Sequence, residues 1–288
     1  MLVDLIRAAI AARVLPGRTG ITLSGGLDSS TIASLAPADL PTFSAYYDVP
    51  GFDERRYSRL VAHREHHEIA ISPYDVVDNF DTMTPFLRRP WQGPGTVGQF
   101  IFARRINERR PDIRVLLSGE GSDELFGGYA RTLLAAGEPL PVGYEHYVPP
   151  ADYPVDDLEA ALQYDLDRLP DLLAVDDQVA SPWGFEARAS FTDPSIVAYA
   201  LDLPARQRVG KRHLRRAVRG IVPDAIIDRQ DKMGMPIPLV RWAQEEPLRS
   251  FIGDRLGYLP DPEAPWDRGW WYDLLDRTTE PVEGEKVA

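Results

Sequence analysis

The chain of 288 residues contains no cysteine. That excludes disulfides, thiolate metal sites and a cysteine nucleophile, and it fits a reducing compartment, so a cytoplasmic location is expected. No apolar run is long enough to span a bilayer. Residues 2–14 are apolar but broken by Asp4, Arg7 and Arg13, without the cationic start or cleavage pattern of a targeting segment. Basic residues are outnumbered, 32 Lys and Arg against 44 Asp and Glu, for a net charge of −12. Such a chain is a poor binder of nucleic-acid backbone, and neither a nucleic acid nor a membrane is expected as a partner. The densest basic cluster is Lys211, Arg212, Arg215, Arg216 and Arg219. It reads equally as a solvated helix face or as a group near an anionic substrate. His63, His66 and His67 cluster but lack a fourth metal partner, so they read as structural. There are no internal repeats and no low-complexity tract.

What is present is a rhythm. Apolar residues at helical spacing predict an amphipathic helix over residues 2–14, stopped by Pro16 and Gly17. Short β-type runs follow at residues 20–23, 42–47, 67–71 and 113–118. They alternate with helical stretches at 28–34, 53–63 and 97–109. Alternation of this kind predicts an α/β fold, a parallel twisted sheet flanked by helices, with ligands beyond the carboxyl ends of the strands. Residues 137–154 hold five prolines and read as a loop. Residues 155–256 look mainly helical, with pieces at 157–167, 195–201 and 212–221, and are expected to form a helical C-terminal lobe packed on the sheet. The organisation expected is a single domain over 1–277, with its nucleotide-binding part in 1–136, its helical lobe in 155–256 and a frayed tail at 278–288.

Two glycine-rich loops carry the chemistry. The first is Leu23-Ser24-Gly25-Gly26-Leu27-Asp28-Ser29-Ser30, a strand running into two glycines and a helix. The glycines let the backbone approach a phosphate, and the helix start presents unpaired N–H groups and a positive dipole end to it. Asp28 beside a phosphate is repulsive unless a divalent cation lies between them, with Asp28 as a hard oxygen ligand. The loop lacks the Gly-Lys-Ser/Thr ending of a Walker A motif, which disfavours γ-phosphate transfer. The second loop runs Leu117-Ser118-Gly119-Glu120-Gly121-Ser122-Asp123-Glu124-Leu125-Phe126-Gly127-Gly128-Tyr129. Crowding Glu120, Asp123 and Glu124 is costly unless a cation or a reacting proton uses them. Asp123 is of the type to be a second Mg²⁺ ligand, and Glu120 to be a general base toward an amine.

The first string matches the pyrophosphate-binding loop of the ATP pyrophosphatases, which cleave ATP between the α and β phosphates. The two loops together resemble the paired motifs of the asparagine synthetase family in its synthetase domain, a family that also holds β-lactam synthetases and lasso-peptide cyclases. Three further stretches agree: His66-His67-Glu68; Trp183-Gly184-Phe185-Glu186-Ala187-Arg188; and Arg229-Gln230-Asp231-Lys232-Met233-Gly234 with Pro236, Pro238 and Trp242. The resemblance spans about residues 2–250. It implies ATP and Mg²⁺ as cofactors, with Leu23, Ala45, Ser118 and Gly119 bordering the adenosine and Ser24, Gly25, Gly26, Leu27, Asp28, Ser29 and Ser30 holding the pyrophosphate. Asp28 and Asp123 would bind Mg²⁺, Glu120 would take the amine's proton, and Lys232 would stabilise anionic transition states.

The implied activity is adenylation of a small-molecule or peptide carboxylate, then transfer to ammonia or another amine, with aspartate as the default acid. The glutaminase domain that begins with a catalytic cysteine in the usual glutamine-dependent enzyme has no counterpart in this sequence. Free ammonia, another amine, or ammonia from a separate glutaminase chain or pathway partner is therefore expected. Ser190 and Thr192 stand where the family usually has Pro and Leu, which puts aspartate in doubt and opens an amide- or lactam-forming tailoring role. Glu120, where the β-lactam branch tends to carry Tyr, favours amine chemistry. A different ATP pyrophosphatase chemistry, such as tRNA thiolation, and a non-catalytic nucleotide-binding regulator stay open as further readings.

Overall fold

The structure is a computed structural model that describes residues 1–87, 93–142, 144, 147–231, 237–261 and 269–279. Among the described residues the strands are β1 (Thr19–Thr22), β2 (Thr42–Tyr46), β3 (His66–Ala70), β4 (Val115–Ser118) and β5 (Glu186–Ala189). They form one sheet in the order β3-β2-β1-β4-β5, every neighbouring pair parallel. The helices of the first half are α1 (Leu2–Arg13), α2 (Leu27–Leu35), α3 (Arg55–Ser58), α4 (Pro73–Met83), α5 (Gly95–Arg109), α6 (Ser122–Leu125) and α7 (Ala130–Ala135). Those of the second half are α8 (Leu158–Asp167), α9 (Leu169–Ala180), α10 (Pro194–Leu201), α11 (Ala205–Arg208), α12 (Arg212–Ala217), α13 (Asp224–Ile227), α14 (Leu239–Trp242), α15 (Leu248–Leu256) and α16 (Gly269–Thr279).

A parallel sheet is covered on both faces, and successive strand residues feed opposite cores. In β4, Leu116 points to a core built with α4, α5, α9 and α14–α16, while Val115 and Leu117 point to one built with α1, α2, α10, α12 and α13. Phe43 and Ile69 join the first core, Ile21 and Leu23 the second. The first core is rich in aromatics set edge-on, such as Phe80 against Phe251 and Trp271.

The four strands expected from the pattern are present within two residues of their expected bounds. One reading needs correction. The charged helix expected over 53–63 is a single turn, α3, because the chain beyond it is drawn onto β2. His63 donates its backbone N–H to Thr42 Oγ1 (3.3 Å), and its ring nitrogens lie 2.8 Å from the carbonyls of Leu40 and Ala33. The pattern also missed α4, capped by a reciprocal Ser72–Asp75 box. The mainly helical late region also contributes β5, whose short charged string Glu-Ala-Arg-Ala gives little strand signal. Residues 278–288 lie almost wholly outside the described residues.

Chain order in the sheet decides where a ligand sits. From β1 the chain moves to β2 and β3 on one side, and then to β4 on the other. The strand order therefore reverses between β1 and β4, and crevices for ligands open at the carboxyl ends of such a pair. Both glycine loops follow these two strands.

Candidate active site

The first loop is held by its own serines. Ser29 Oγ accepts from Ser24 N–H (3.2 Å) and lies 3.0 Å from Ser24 Oγ, which accepts from Gly26 N–H (3.3 Å). Gly25 sits at φ +82°, and α2 begins on Gly26 without a side-chain cap, so its first N–H groups face outward for an anion. The second loop packs directly on the first. A Cβ on Gly119 would meet Asp28 Cβ and Ser29 N at 2.8 Å, so only glycine allows this approach.

A cavity of about 280 Å³ opens where the loops meet. Leu23, Ser24, Gly26, Asp28, Ser29, Ala45, Ser118, Gly119, Glu120 and Asp123 all line it. Gly25, Leu27 and Ser30 stand behind this wall: Gly25 is covered by Tyr57 and Ser58, and Leu27 and Ser30 are buried. Among the described residues Ser30 Oγ has no hydrogen-bond partner. Lys232 lies outside the described residues.

Among the described residues, Asp28 and Asp123, one from each loop, meet at the ammonium of Lys211. Lys211 Nζ lies 2.6 Å from Asp28 Oδ2 and 2.7 Å from Asp123 Oδ1, and Ser122 Oγ donates to Asp28 Oδ1 at 2.8 Å. Lys211 is 3 % exposed and adopts φ +57°, a region that non-glycine residues seldom occupy. It is pinned there, since its N–H donates to Phe126 O (2.9 Å) and that of Gly210 to Gly127 O (2.8 Å). The ion pair crosses over Gly128, where a Cβ would lie 2.0 Å from Asp123 Oδ1. Of the basic cluster in the sequence, Lys211 thus touches both loop carboxylates, and the charge of Arg215 acts on them from farther off. Arg212 pairs with Glu138, Arg219 with Asp224 and Asp228, and Arg215 donates to backbone carbonyls.

The residues fit Mg²⁺ in a specific sense. Among the described residues no three His, Asp or Glu side chains gather into a metal cage. Mg²⁺ is commonly held by one or two carboxylates plus substrate phosphates, and Asp28 and Asp123 bracket a single cation position beside the phosphate-type loop.

Sequence reasoning passed over several wall residues. Asp176, on α9, lines the cavity beside Glu120, with Gln99 Nε2 3.4 Å from its Oδ1. Glu54 and Arg229 line another side and pair with each other. Arg229 stacks on Tyr57, 4.1 Å from its ring centre, and among the described residues its Nη1 has no hydrogen-bond partner. The described wall therefore carries the carboxylates of Asp28, Glu54, Glu120, Asp123 and Asp176 against the guanidinium of Arg229. A polyphosphate can enter so acidic a space only in the company of cations.

The same acidity acts on Glu120. Burial first, then the negative charges of Asp176, Glu124, Asp123 and Asp28, push its carboxyl well above the usual range. Glu124 is also pushed up, chiefly by burial, although Tyr129 donates to it at 2.5 Å.

The departures at 190 and 192 frame this region. Ser190 is fully buried, and among the described residues its Oγ has no hydrogen-bond partner. Thr192 Cγ2 lies 3.0 Å from where a Cβ on Gly121 would stand, one residue beyond Glu120. Thr192 also lines a second cavity, about 550 Å³, along the outer edge of β5. The three histidines take structural partners: His66 Nδ1 lies 2.9 Å from Thr42 Oγ1, and His67 stacks on Phe43.

Comparison with known proteins identifies the family of the chain. The chain is 28 % identical over 299 residues to a protein of Mycobacterium tuberculosis provisionally named a glutamine-hydrolysing asparagine synthetase, covering 77 % of this chain and 45 % of that protein. It is 25 % identical to a glutamine-hydrolysing asparagine synthetase of Bacillus subtilis, covering 79 % and 47 %, and 26 % identical to one of Zea mays, covering 73 % and 35 %. The chain thus spans about half the length, or less, of the curated relatives it matches. The family profile described as asparagine synthase matches residues 1–168 and 154–280, nearly the whole chain, and the chain belongs to the asparagine synthase family.

Proposed function

We propose that this chain is an ATP-dependent ligase that activates a carboxylate as an acyl-adenylate, releases pyrophosphate and passes the acyl group to ammonia or an amine. The observation that carries this reading is the meeting of the two glycine loops at the switch point of the sheet, with Asp28 and Asp123 sharing one cation.

Leu23, Ala45, Ser118 and Gly119, which line the cavity, would border the adenosine, and Ser24, Gly26, Ser29 and the first turn of α2 would hold the phosphates. Gly25, Leu27 and Ser30 shape the loop from behind. When bound with ATP, Mg²⁺ would neutralise the phosphates and the leaving pyrophosphate, held by Asp28 and Asp123. Lys211 supplies the positive charge between these carboxylates when no ion is bound, and Lys232 is expected to add one from its own segment. The substrate carboxylate oxygen attacks the α-phosphorus and pyrophosphate leaves. The amine nitrogen then attacks the acyl carbon, Glu120 accepts a proton, and AMP leaves. A carboxylate whose proton affinity is raised by burial and by like charges is a better base than an exposed one.

Aspartate, giving asparagine, is the default acid. The second reading, an amide- or lactam-forming tailoring enzyme, is favoured by Thr192, which replaces a larger apolar side chain against Gly121 and beside a further cavity. Pyrophosphate exchange into ATP, measured with Mg²⁺ across a panel of carboxylates, tests the reaction and names the acid. Exchange that depends on one acid and vanishes in Asp28→Ala is expected; exchange unaffected by Asp28→Ala overturns the proposed role of the first loop.

A further inference from the structure

Asp176 has no part in the steps above, yet it occupies a junction. It lies in the wall of the reaction cavity with Glu120 and in the wall of the second cavity along β5. Ala187 is the other residue the two walls share. The exposed residues Ala12 and Glu186 line that second cavity, so it opens to the surface. One carboxylate therefore stands between a surface groove and the cavity that holds Glu120. Its neighbours differ on the two sides: Glu120 and Glu124 toward the reaction, and Arg13 with the Glu186–Arg188 pair toward the groove. Among the described residues no arginine or lysine pairs with it, and Gln99 is its recorded hydrogen-bond donor. Burial first, and Glu124 second, push its carboxyl up to about 7.

Proton stoichiometry gives this position a task. An amine in neutral solution is mostly its cation. Reaction of R–NH₃⁺ with the acyl-adenylate monoanion gives the amide, the AMP dianion and two protons. The first proton must leave before the nitrogen has a lone pair to donate. The second leaves as the C–N bond forms and the acyl C–O bond to AMP breaks. A single carboxylate can hold one of these protons. On the adenylation reading, we propose that Asp176 receives the nitrogen donor as ammonium or a small primary aminium at the junction of the two cavities and takes its first proton, and that Glu120 takes the second during attack. The two acids are thus used in sequence, and the specificity of the second half-reaction is for a cation.

The test separates the half-reactions and the charge state of the nucleophile. Asp176→Asn is assayed for pyrophosphate exchange with the acid that supports it, then for product formation with ammonium and with hydroxylamine, which is already neutral in the same neutral buffer. Product formation with ammonium should fall about a hundredfold with a raised KM, the scale of losing a positioned proton acceptor. Hydroxamate formation should fall far less than product formation with ammonium, only by what Glu120 loses in basicity with the Asp176 charge, and exchange, which uses neither acid, should persist. Asp176→Glu, which keeps the charge, should retain the use of ammonium. An equal loss with both nucleophiles, no loss with ammonium, or an Asp176→Glu variant as poor as Asp176→Asn overturns the assignment. Absence of exchange in the wild type instead overturns the adenylation reading, and this inference with it.

Discussion

Replacing Lys211 by Met removes the ammonium that Asp28 and Asp123 share. Both carboxylates touch the same nitrogen, at 2.6 and 2.7 Å, so the two oxygens are at most about 5 Å apart. Two like charges at ~5 Å repel by roughly 3 kcal/mol at an effective dielectric of ~20. Removing one partner of a buried ion pair costs about 3–5 kcal/mol in general. The Lys211 side chain is 4 % exposed and those of Asp28 and Asp123 are 13 % and 21 % exposed, so hydration relieves part of the strain and the lower figure applies. Lys211→Met should therefore lower stability by about 3 kcal/mol, or roughly 6 °C in Tm for a domain of this size. Urea and thermal unfolding of both proteins, in chelator and in Mg²⁺, measure it. Mg²⁺ should restore the variant more than it stabilises the wild type, because a divalent ion can take the ammonium's place between the carboxylates. Equal stability in chelator would refute the energetic argument. A full defect that persists in Mg²⁺ would refute the idea that Asp28 and Asp123 bracket a cation site.

Other expectations follow from the same geometry. Glu120→Gln should slow product formation by about 10²–10⁴ while leaving pyrophosphate exchange measurable, as read in paired half-reaction assays. Asp176 has its folded pKa raised from an ordinary carboxylate value to about 7, so the folded state binds the extra proton and stability falls as pH rises between these values. Asp176→Asn should therefore raise Tm relative to wild type at pH above about 7, with the gain gone below about pH 4; a gain independent of pH would contradict the assignment. Gly128→Ala places a methyl group 2.0 Å from Asp123 Oδ1 and 2.1 Å from Lys211 Cε, and should destabilise by about 1–3 kcal/mol through overpacking, together with loss of nucleotide binding by calorimetry. Asp165 is fully buried and accepts from Arg131 and Thr132, each at 2.6 Å; Asp165→Ala leaves the guanidinium uncompensated and should cost about 3–5 kcal/mol in urea unfolding.

The sheet was legible where strands carry apolar runs between helices. Val115, Leu116 and Leu117 serve two cores at once, and such a run reads directly as a strand covered on both faces. It was illegible at β5, a short edge strand with exposed Glu186 and paired Arg188, whose alternation belongs to the rim of the sheet. The length of α3 was misread because a local charged pattern was overruled by the distant bonds of His63. The two glycine loops were readable because each residue type has a local reason to be there. Lys211 was visible as part of a basic cluster but not separable from it, since its separation depends on a left-handed backbone position fixed by contacts to Phe126 and Gly127. Asp176 was hidden inside an ordinary amphipathic helix, because what distinguishes it is the pair of cavities on its two sides.

The late arrival of β5 has a consequence for how the molecule is made. Four strands are complete by Ser118, but the outer edge of β4 is sealed only by Glu186–Ala189, some seventy residues further along. During synthesis that edge leaves the ribosome with its ladder groups bare, in the condition that invites pairing with a neighbouring chain. A split of the gene within residues 137–154 would yield a first fragment with all of the phosphate-loop chemistry and a sheet that cannot close. Its solubility should then depend on a second fragment that supplies β5, so the two pieces should be recovered together and the first should aggregate alone.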